Sequence, residues 1–521
     1  MAEASATNYD QVPYTNYVFS FTHPARLGVL PALLGMRPAD PAHCRVLELG
    51  CAAGANLIPM AYELPESEFV GIDLSRRQVE QGRRGVAALG LKNIDLRPGS
   101  ILEVDADFGR FDYIICHGVY SWVPAEVREG ILAVCKANLA ADGVAYVSYN
   151  TYPGWHLRTP VREMMAYHVG RITDPGERVR QARALLKFLV DVVGTGDAVY
   201  GGLLRREADV LAQHSDAYVY HDLMEPVNEP VYFHQFAEAA AARGLQYVGE
   251  AEPTPMAQPL SPEASATLER LAGSVVQLEQ YLDFVRNRTF RRTLLCHDGV
   301  RLRYPLQSEA VSTLYLSSLV NPVAGGTQPG AAPSEEFRGP QGSVWTDYPA
   351  LRAALHSLSE AAPAALSFEA LWQRVRAAVP HLGDDGRKEL TDALLQCYFS
   401  RMVELVLAPP RLAVEGGERP CASALARLQA AASPTLCNLR HGAVTLDSFD
   451  RVVLQQLDGT RDGPALAEAL ARLAADGTFK VEHGGSAVRD PAVLRDVMRQ
   501  ALGPALERLG RSALLLPADE S

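Results

Sequence analysis

The apolar pentapeptide Arg45–Leu49 runs into the turn Gly50-Cys51-Ala52-Ala53-Gly54, and a helical pattern over Ala55–Glu63 follows. A buried strand that breaks this sharply into a helix points to an open parallel sheet with helices on its faces. Glycines at 50 and 54 let the backbone approach a ligand more closely than any side chain would allow. In dinucleotide sites such a turn lays a pyrophosphate on the helix N-terminus. Here the spacing is Gly-x-Ala-x-Gly, and Glu48 stands two residues before the first glycine. A carboxylate there repels a pyrophosphate and suits the ammonium end of S-adenosylmethionine (AdoMet). AdoMet is therefore the expected cofactor, contacted by Glu48, Gly50, Cys51, Ala52, Gly54 and Asn56.

Three further elements follow in the order such a site requires. Glu68–Asp73 reads as the second strand, ending in Asp73-Leu74, and Asp73 lies 23 residues beyond Gly50. An acid at that strand end accepts hydrogen bonds from ribose hydroxyls. Gly99-Ser100-Ile101 follows a third strand at Ile94–Arg97, and Ser100 and Ile101 are expected to flank the adenine. The fourth strand, Phe111–Cys116, delivers Cys116 and His117 to the same edge, while its opening acid, Asp112, is expected to hold backbone amides. The fifth strand is Val144–Tyr149, and Leu245–Glu250 and Arg292–His297 complete a seven-stranded Rossmann-like sheet. Between the fifth and last strands the pattern turns helical, either as two insertions in one domain or as a separate all-helical middle domain.

The expected organisation is a core with an N-terminal lid over 1–157, helical insertions plus the remaining strands over 158–300, and a linker over 301–345. The linker assignment rests on the Gly-, Pro-, Ala- and Ser-rich stretch Asn321–Gly342. Two winged-helix-like α+β units are expected at 346–430 and 431–521. Tyr14 and His23, with Tyr9, precede the first strand and are expected either to fold over the cofactor or to form an edge helix on the sheet.

The eight cysteines form no CxxC pair and show no metal-ligand spacing, so no metal is expected, and reduced thiols in a cytoplasmic protein are. No run of about 20 apolar residues is present, so no membrane span is expected. A net charge of −12 without a Lys/Arg block argues against nucleic acid as a partner.

The segments Tyr9–Tyr14, Thr22–Leu27, Leu47–Ala52, Tyr149–Trp155 and Gln280–Arg288 resemble bacterial class I methyltransferases that carry a methyltransferase regulatory domain. Those proteins include the rickettsial protein-lysine methyltransferases that modify outer-membrane proteins. The likeness continues through Asn438–His441 and Leu457–Asp462, and Ala52 in place of a glycine is shared by the group. It implies methyl transfer to a protein or peptide, with lysine the leading acceptor.

The residues themselves place Tyr120, Trp122, Tyr149, Tyr152 and Trp155 near the expected methyl group. Such a cluster suits an amine through cation–π attraction, and equally suits a core between sheet and insertion. Tyr120, Tyr149 and Trp155 are the expected acceptor pocket, with His117 either a base or simply hydrogen-bonded. The Asn/Asp-Pro-Pro-Tyr/Phe motif of adenine and glutamine methylation is missing from the fourth strand. The competing readings are a small-molecule or natural-product O/N-methyltransferase and a non-catalytic AdoMet-binding regulator. The helical insertions offer surface for a homodimer.

Overall fold

The computed structural model describes residues 12, 18–194, 196–252, 260–323, 334–383, 385–483, 486–487 and 490–518. Tyr9 and Tyr14 lie outside the described residues.

Seven strands, β1 (Arg45–Leu49), β2 (Glu68–Asp73), β3 (Ile94–Pro98), β4 (Phe111–Cys116), β5 (Leu139–Asn150), β6 (Leu245–Glu250) and β7 (Phe290–His297), form one sheet in the order β3-β2-β1-β4-β5-β7-β6. Only β7 runs against its neighbours. Side chains alternate across the sheet, as the period of two requires. Val46, Tyr113, Ile115 and Tyr146 pack on one face, and Leu47, Ile114, Ala145 and Val147 on the other.

The covering helices follow their sequence punctuation. α1 (Leu57–Glu63) leaves the glycine turn after β1, and α2 (Arg76–Leu89) starts at Ser75, whose hydroxyl accepts from Gln78 N–H at 3.2 Å. α2 stops at Gly90, which takes the left-handed conformation (φ 67°). α3 (Ala125–Asn138) joins β4 to β5.

Of the two readings of the middle region, a helical unit with its own core is what forms. α4 (Gly154–Val169), α5 (Pro175–Val193), α6 (Ala198–Ala212) and α7 (Asp216–Met224) bury Val161, Met165, Leu186, Leu204 and Leu223 against one another. The chain then returns to the sheet through α8 (Phe233–Ala241), which lays Phe236 on β5. α9 (Pro262–Leu271) and α10 (Val275–Arg286) precede β7. A fully buried Arg291 binds Asp283 at 2.8 Å, Glu250 at 2.7 Å and Glu279 at 2.9 Å, pinning α10 to the sheet edge. A buried guanidinium is tolerated only with such pairing. The Gln280–Arg288 segment is thus a structural clasp.

The stretch 301–345 is not a linker throughout. A 3-10 turn (Ser308–Thr313), a strand (Tyr315–Ser317) and a hairpin (Glu335–Gly339 with Gly342–Thr346) belong to the first C-terminal unit. Val311, Leu316 and Phe337 share its core with Leu355, Phe368 and Leu394. Runs of two to five strand residues among glycines and prolines are too short to carry a periodic signal, and Phe337 gains its burial only from distant helices. The boundary at 430 also moves. The first core ends near Leu405, and Ala422 and Ala426 already belong to the second, whose helices are Ala424–Ala432, Ser448–Gln456, Gly463–Ala475 and Pro491–Arg511. No described helix is long and apolar enough to cross a membrane.

Candidate cofactor and acceptor site

The turn after β1 is held against β2 by its own amides. Gly50 and Cys51 N–H both donate to Ile72 C=O, at 2.8 and 3.1 Å. Gly50 (φ 79°), Ala52 (φ 50°) and Gly54 (φ 73°) all take positive φ. A methyl group at position 50 would stand 2.5 Å from Val119 Cγ2, so glycine is required there on two counts. Asp73, at the tip of β2, accepts from Ala52 N–H and Ser75 N–H, each at 2.8 Å. It thereby supports the turn.

Glu48 is 4% exposed. Its Oε1 accepts from Asn56 Nδ2 at 2.9 Å, and its Oε2 is buried with no partner. Burial pushes this carboxyl up to about 7, against the opposing pull of the Asn56 bond. A buried acceptor left unsatisfied beside a glycine turn fits a site for a cationic ligand group. Asn56 is itself fixed, since Phe19 N–H donates to its Oδ1 at 3.0 Å.

The remaining sequence-selected residues are placed as follows. Leu74 is exposed beside Asp73, free to cover a nucleoside face. Ser100 caps the turn Ile101–Glu103, its hydroxyl accepting from Leu102 N–H at 3.2 Å, and Ile101 is buried. Cys116 is fully buried at the end of β4. Asp112 accepts from Arg45 N–H at 2.8 Å, the backbone role expected of it.

His117 Nδ1 meets Tyr146 Oη at 2.8 Å and Ser148 Oγ at 3.1 Å, and its ring lies 3.9 Å from that of Phe19. Burial and the Arg292 charge lower its pKa to about 3. A base that weak takes no proton efficiently at neutral pH. His117 therefore anchors Phe19 of the N-terminal segment.

The expected acceptor rings are core. Tyr149 and Trp155 are each 1% exposed, and Tyr120 is 5% exposed. Phe236 of α8 stacks on Tyr149 at 4.2 Å and meets Tyr120 edge-on at 5.2 Å, while Tyr149 Oη pairs with Thr293 Oγ1 at 3.0 Å. That packing places Tyr120 and Tyr149 in the core beneath α8. The aromatic wall that does reach the surface lies just beyond β5. Tyr152 stacks on His156 at 3.9 Å and tilts against Tyr232 at 5.3 Å, and His156 Nε2 lies 3.1 Å from Tyr232 Oη. Phe284 of α10, half exposed, meets Tyr232 edge-on at 6.0 Å. Tyr152, Tyr281 and Phe284 stand in segments visible in the sequence, and His156 follows the first of them on α4; Tyr232 carries no such signal, because the start of α8 brings it in from afar.

His23 lies at the contact with the C-terminal unit. It begins a short helical turn (Pro24–Leu27), its Nδ1 accepts from Ala25 N–H at 3.2 Å, and its ring lies 5.3 Å from His441 of the C-terminal unit. Arg440, in the second C-terminal unit, donates from its guanidinium to Pro363 C=O at 2.8 Å, to Ser317 Oγ at 3.1 Å and to Glu404, which ties that unit to the first C-terminal unit.

Comparisons with known proteins agree with this architecture. Residues 46–143 match the family described as "Methyltransferase domain", residues 215–297 the "Predicted methyltransferase regulatory domain" and residues 418–514 the "PKMT, C-terminal winged helix domain". The Rickettsia prowazekii (strain Madrid E) protein RP789 is 33% identical over 521 residues, covering 98% of this chain and 93% of its own length. PKMT2 from Rickettsia typhi, solved in complex with AdoHcy, superposes with a TM-score of 0.87 at 29% identity, over 97% of this chain and 100% of its own. PKMT2 solved without that ligand gives the same TM-score at 28% identity. With the seven-stranded order, the matched domains and a full-length relative in hand, the chain belongs to the AdoMet-dependent methyltransferases that join a class I sheet to a methyltransferase regulatory domain and a C-terminal PKMT winged helix.

Proposed function

We propose that this methyltransferase acts on a side-chain amine of a protein or peptide, with lysine the acceptor. The observation that carries the reading is the full-length likeness to PKMT2, which runs through the regulatory region and the winged helix. A small-molecule enzyme has no need of those C-terminal units.

When bound, AdoMet supplies an electrophilic methyl group on a sulfonium. Glu48 Oε2 would take the cofactor's ammonium and Asp73 its ribose hydroxyls, with Leu74 and Ile101 beside the base. The Tyr152–His156–Tyr232 wall would receive the acceptor side chain, its ring faces attracting the cation before deprotonation. A free lysine titrates near 10.4, and His117 is too weak a base to help. Proton loss to water at the mouth therefore precedes in-line attack, and positioning of the neutral amine supplies most of the acceleration.

Incubation of the full chain with methyl-labelled AdoMet and a bacterial lysate tests this. Label is expected in protein bands, released as methyl-lysine on hydrolysis, and blocked when lysines are first capped by acylation. Label confined to extractable small molecules would support the small-molecule alternative and overturn the proposal. Tyr232→Ala is expected to raise the acceptor KM while leaving AdoMet affinity unchanged.

A further inference from the structure

Where the C-terminal unit docks on the sheet domain, three ligand-type side chains converge: Glu63 at the end of α1, Cys437, and His441. One donor atom of each lies within 4.8 Å of the other two. Cys437 is 4% and His441 1% exposed, so solvent does not account for them.

The hydrogen bonds decide which histidine nitrogen is available. Phe19 N–H donates to Asn56 Oδ1, and Asn56 Nδ2 donates to Glu48 Oε1 at 2.9 Å, which fixes the amide's orientation. His441 Nε2 lies 2.9 Å from that same Oδ1 and must therefore carry the proton. Its Nδ1 is left as a bare lone pair, buried and without a partner. Donating one N–H to a carbonyl oxygen while offering the other nitrogen is how metal-bound histidines are oriented.

A second histidine lies close to the Glu63 carboxyl without a hydrogen bond to it. His23 Nδ1 accepts from Ala25 N–H, so its proton sits on Nε2, 3.8 Å from Glu63 Oε2.

We propose that Glu63, Cys437 and His441 Nδ1 bind a divalent ion of the zinc class, which staples the C-terminal unit to the sheet domain. Thiolate, imidazole and carboxylate are the ligands zinc takes. Bond lengths of about 2.0–2.3 Å call for donor separations of about 3.5 Å, so small side-chain rotations close the set. The two negative charges of the ligated set cancel the dication. A cavity of about 500 Å³, lined by His23, Glu63, Leu439 and Arg440 among others, opens beside Glu63. Through His441 and Asn56 the ion would stand two hydrogen bonds from Glu48, tying domain docking to the cofactor cradle. This site is independent of the acceptor chemistry proposed above.

The test is titration of chelator-stripped, full-length protein with Co²⁺ alone. The expected result is uptake of one equivalent, with tetrahedral ligand-field bands and a thiolate-to-cobalt charge-transfer band. Cys437→Ala is expected to abolish the charge-transfer band, His441→Ala to weaken uptake, and Cys135→Ala, which removes a buried thiol on α3, to leave both unchanged. A folded wild-type chain that takes up no Co²⁺, or takes it up without a thiolate band, overturns the proposal whether or not the variants fold. So does a band that persists in Cys437→Ala.

Discussion

Replacing Glu48 by glutamine separates what this residue does for folding from what it does for the cofactor. The amide keeps the side chain's shape and can still accept from Asn56, but the buried charge is gone. In the ligand-free protein, burial raises the carboxyl from 4.5 to about 7. That shift corresponds to about 3 kcal/mol. Because the folded value lies above the unfolded one, the folded state holds more protons between them. Stability therefore falls as pH rises from 4.5 to about 7, and stays low above that. Glu48→Gln is expected to be more stable than the parent near pH 8, by up to about 3 kcal/mol, with the gain vanishing below the unfolded pKa. Cofactor affinity should move the other way. Losing a hydrogen bond to a charged partner costs about 1.5–3 kcal/mol, or about 10–150-fold in Kd. The parent's Kd should also weaken about tenfold per pH unit below 7, where binding must expel a proton, while the variant's stays flat. Urea denaturation and calorimetric titration with AdoMet across this pH range read both effects. A variant that binds with unchanged affinity and unchanged pH dependence would refute the placing of Glu48 against the cofactor's cation. One no more stable than the parent in mild alkali would refute the desolvation argument.

Asp73→Ala should weaken AdoMet binding by about 1–3 kcal/mol, and unchanged calorimetric affinity would remove the ribose contact. Gly50→Ala forces a side chain into positive φ and against Val119, and should lose about 1–3 kcal/mol of stability in denaturant; an unchanged urea midpoint contradicts this. Arg440→Ala should cost about 1–3 kcal/mol, chiefly through the hydrogen bonds to Pro363 and Ser317, since Glu404 is part-exposed and solvent screens that pair. Accelerated proteolysis between the two C-terminal units would report the loosened junction, and an unaltered cleavage pattern would show that the junction is held elsewhere.

Local and periodic signals made the sheet legible. A strand's alternation and a turn's glycines lie within a few residues of one another, so β1, β2, β4 and β6 stand at the bounds read from the chain. Glu48 and Asp73 could be selected because each sits at a fixed distance from such a turn. Contacts that join distant segments left no comparable trace. Whether Tyr120 and Tyr149 face a ligand or a core depends on Phe236, carried in by α8 after the whole helical unit has intervened. Phe337 becomes core only when helices beyond it close around a hairpin too short to announce itself. The Glu63–Cys437–His441 cluster is the extreme case: α1 and the C-terminal unit each contribute residues that are unremarkable alone, and docking alone turns them into a donor set. Burial, pairing and charge state are properties of the neighbourhood, and folding assembles that neighbourhood from chain segments hundreds of residues apart.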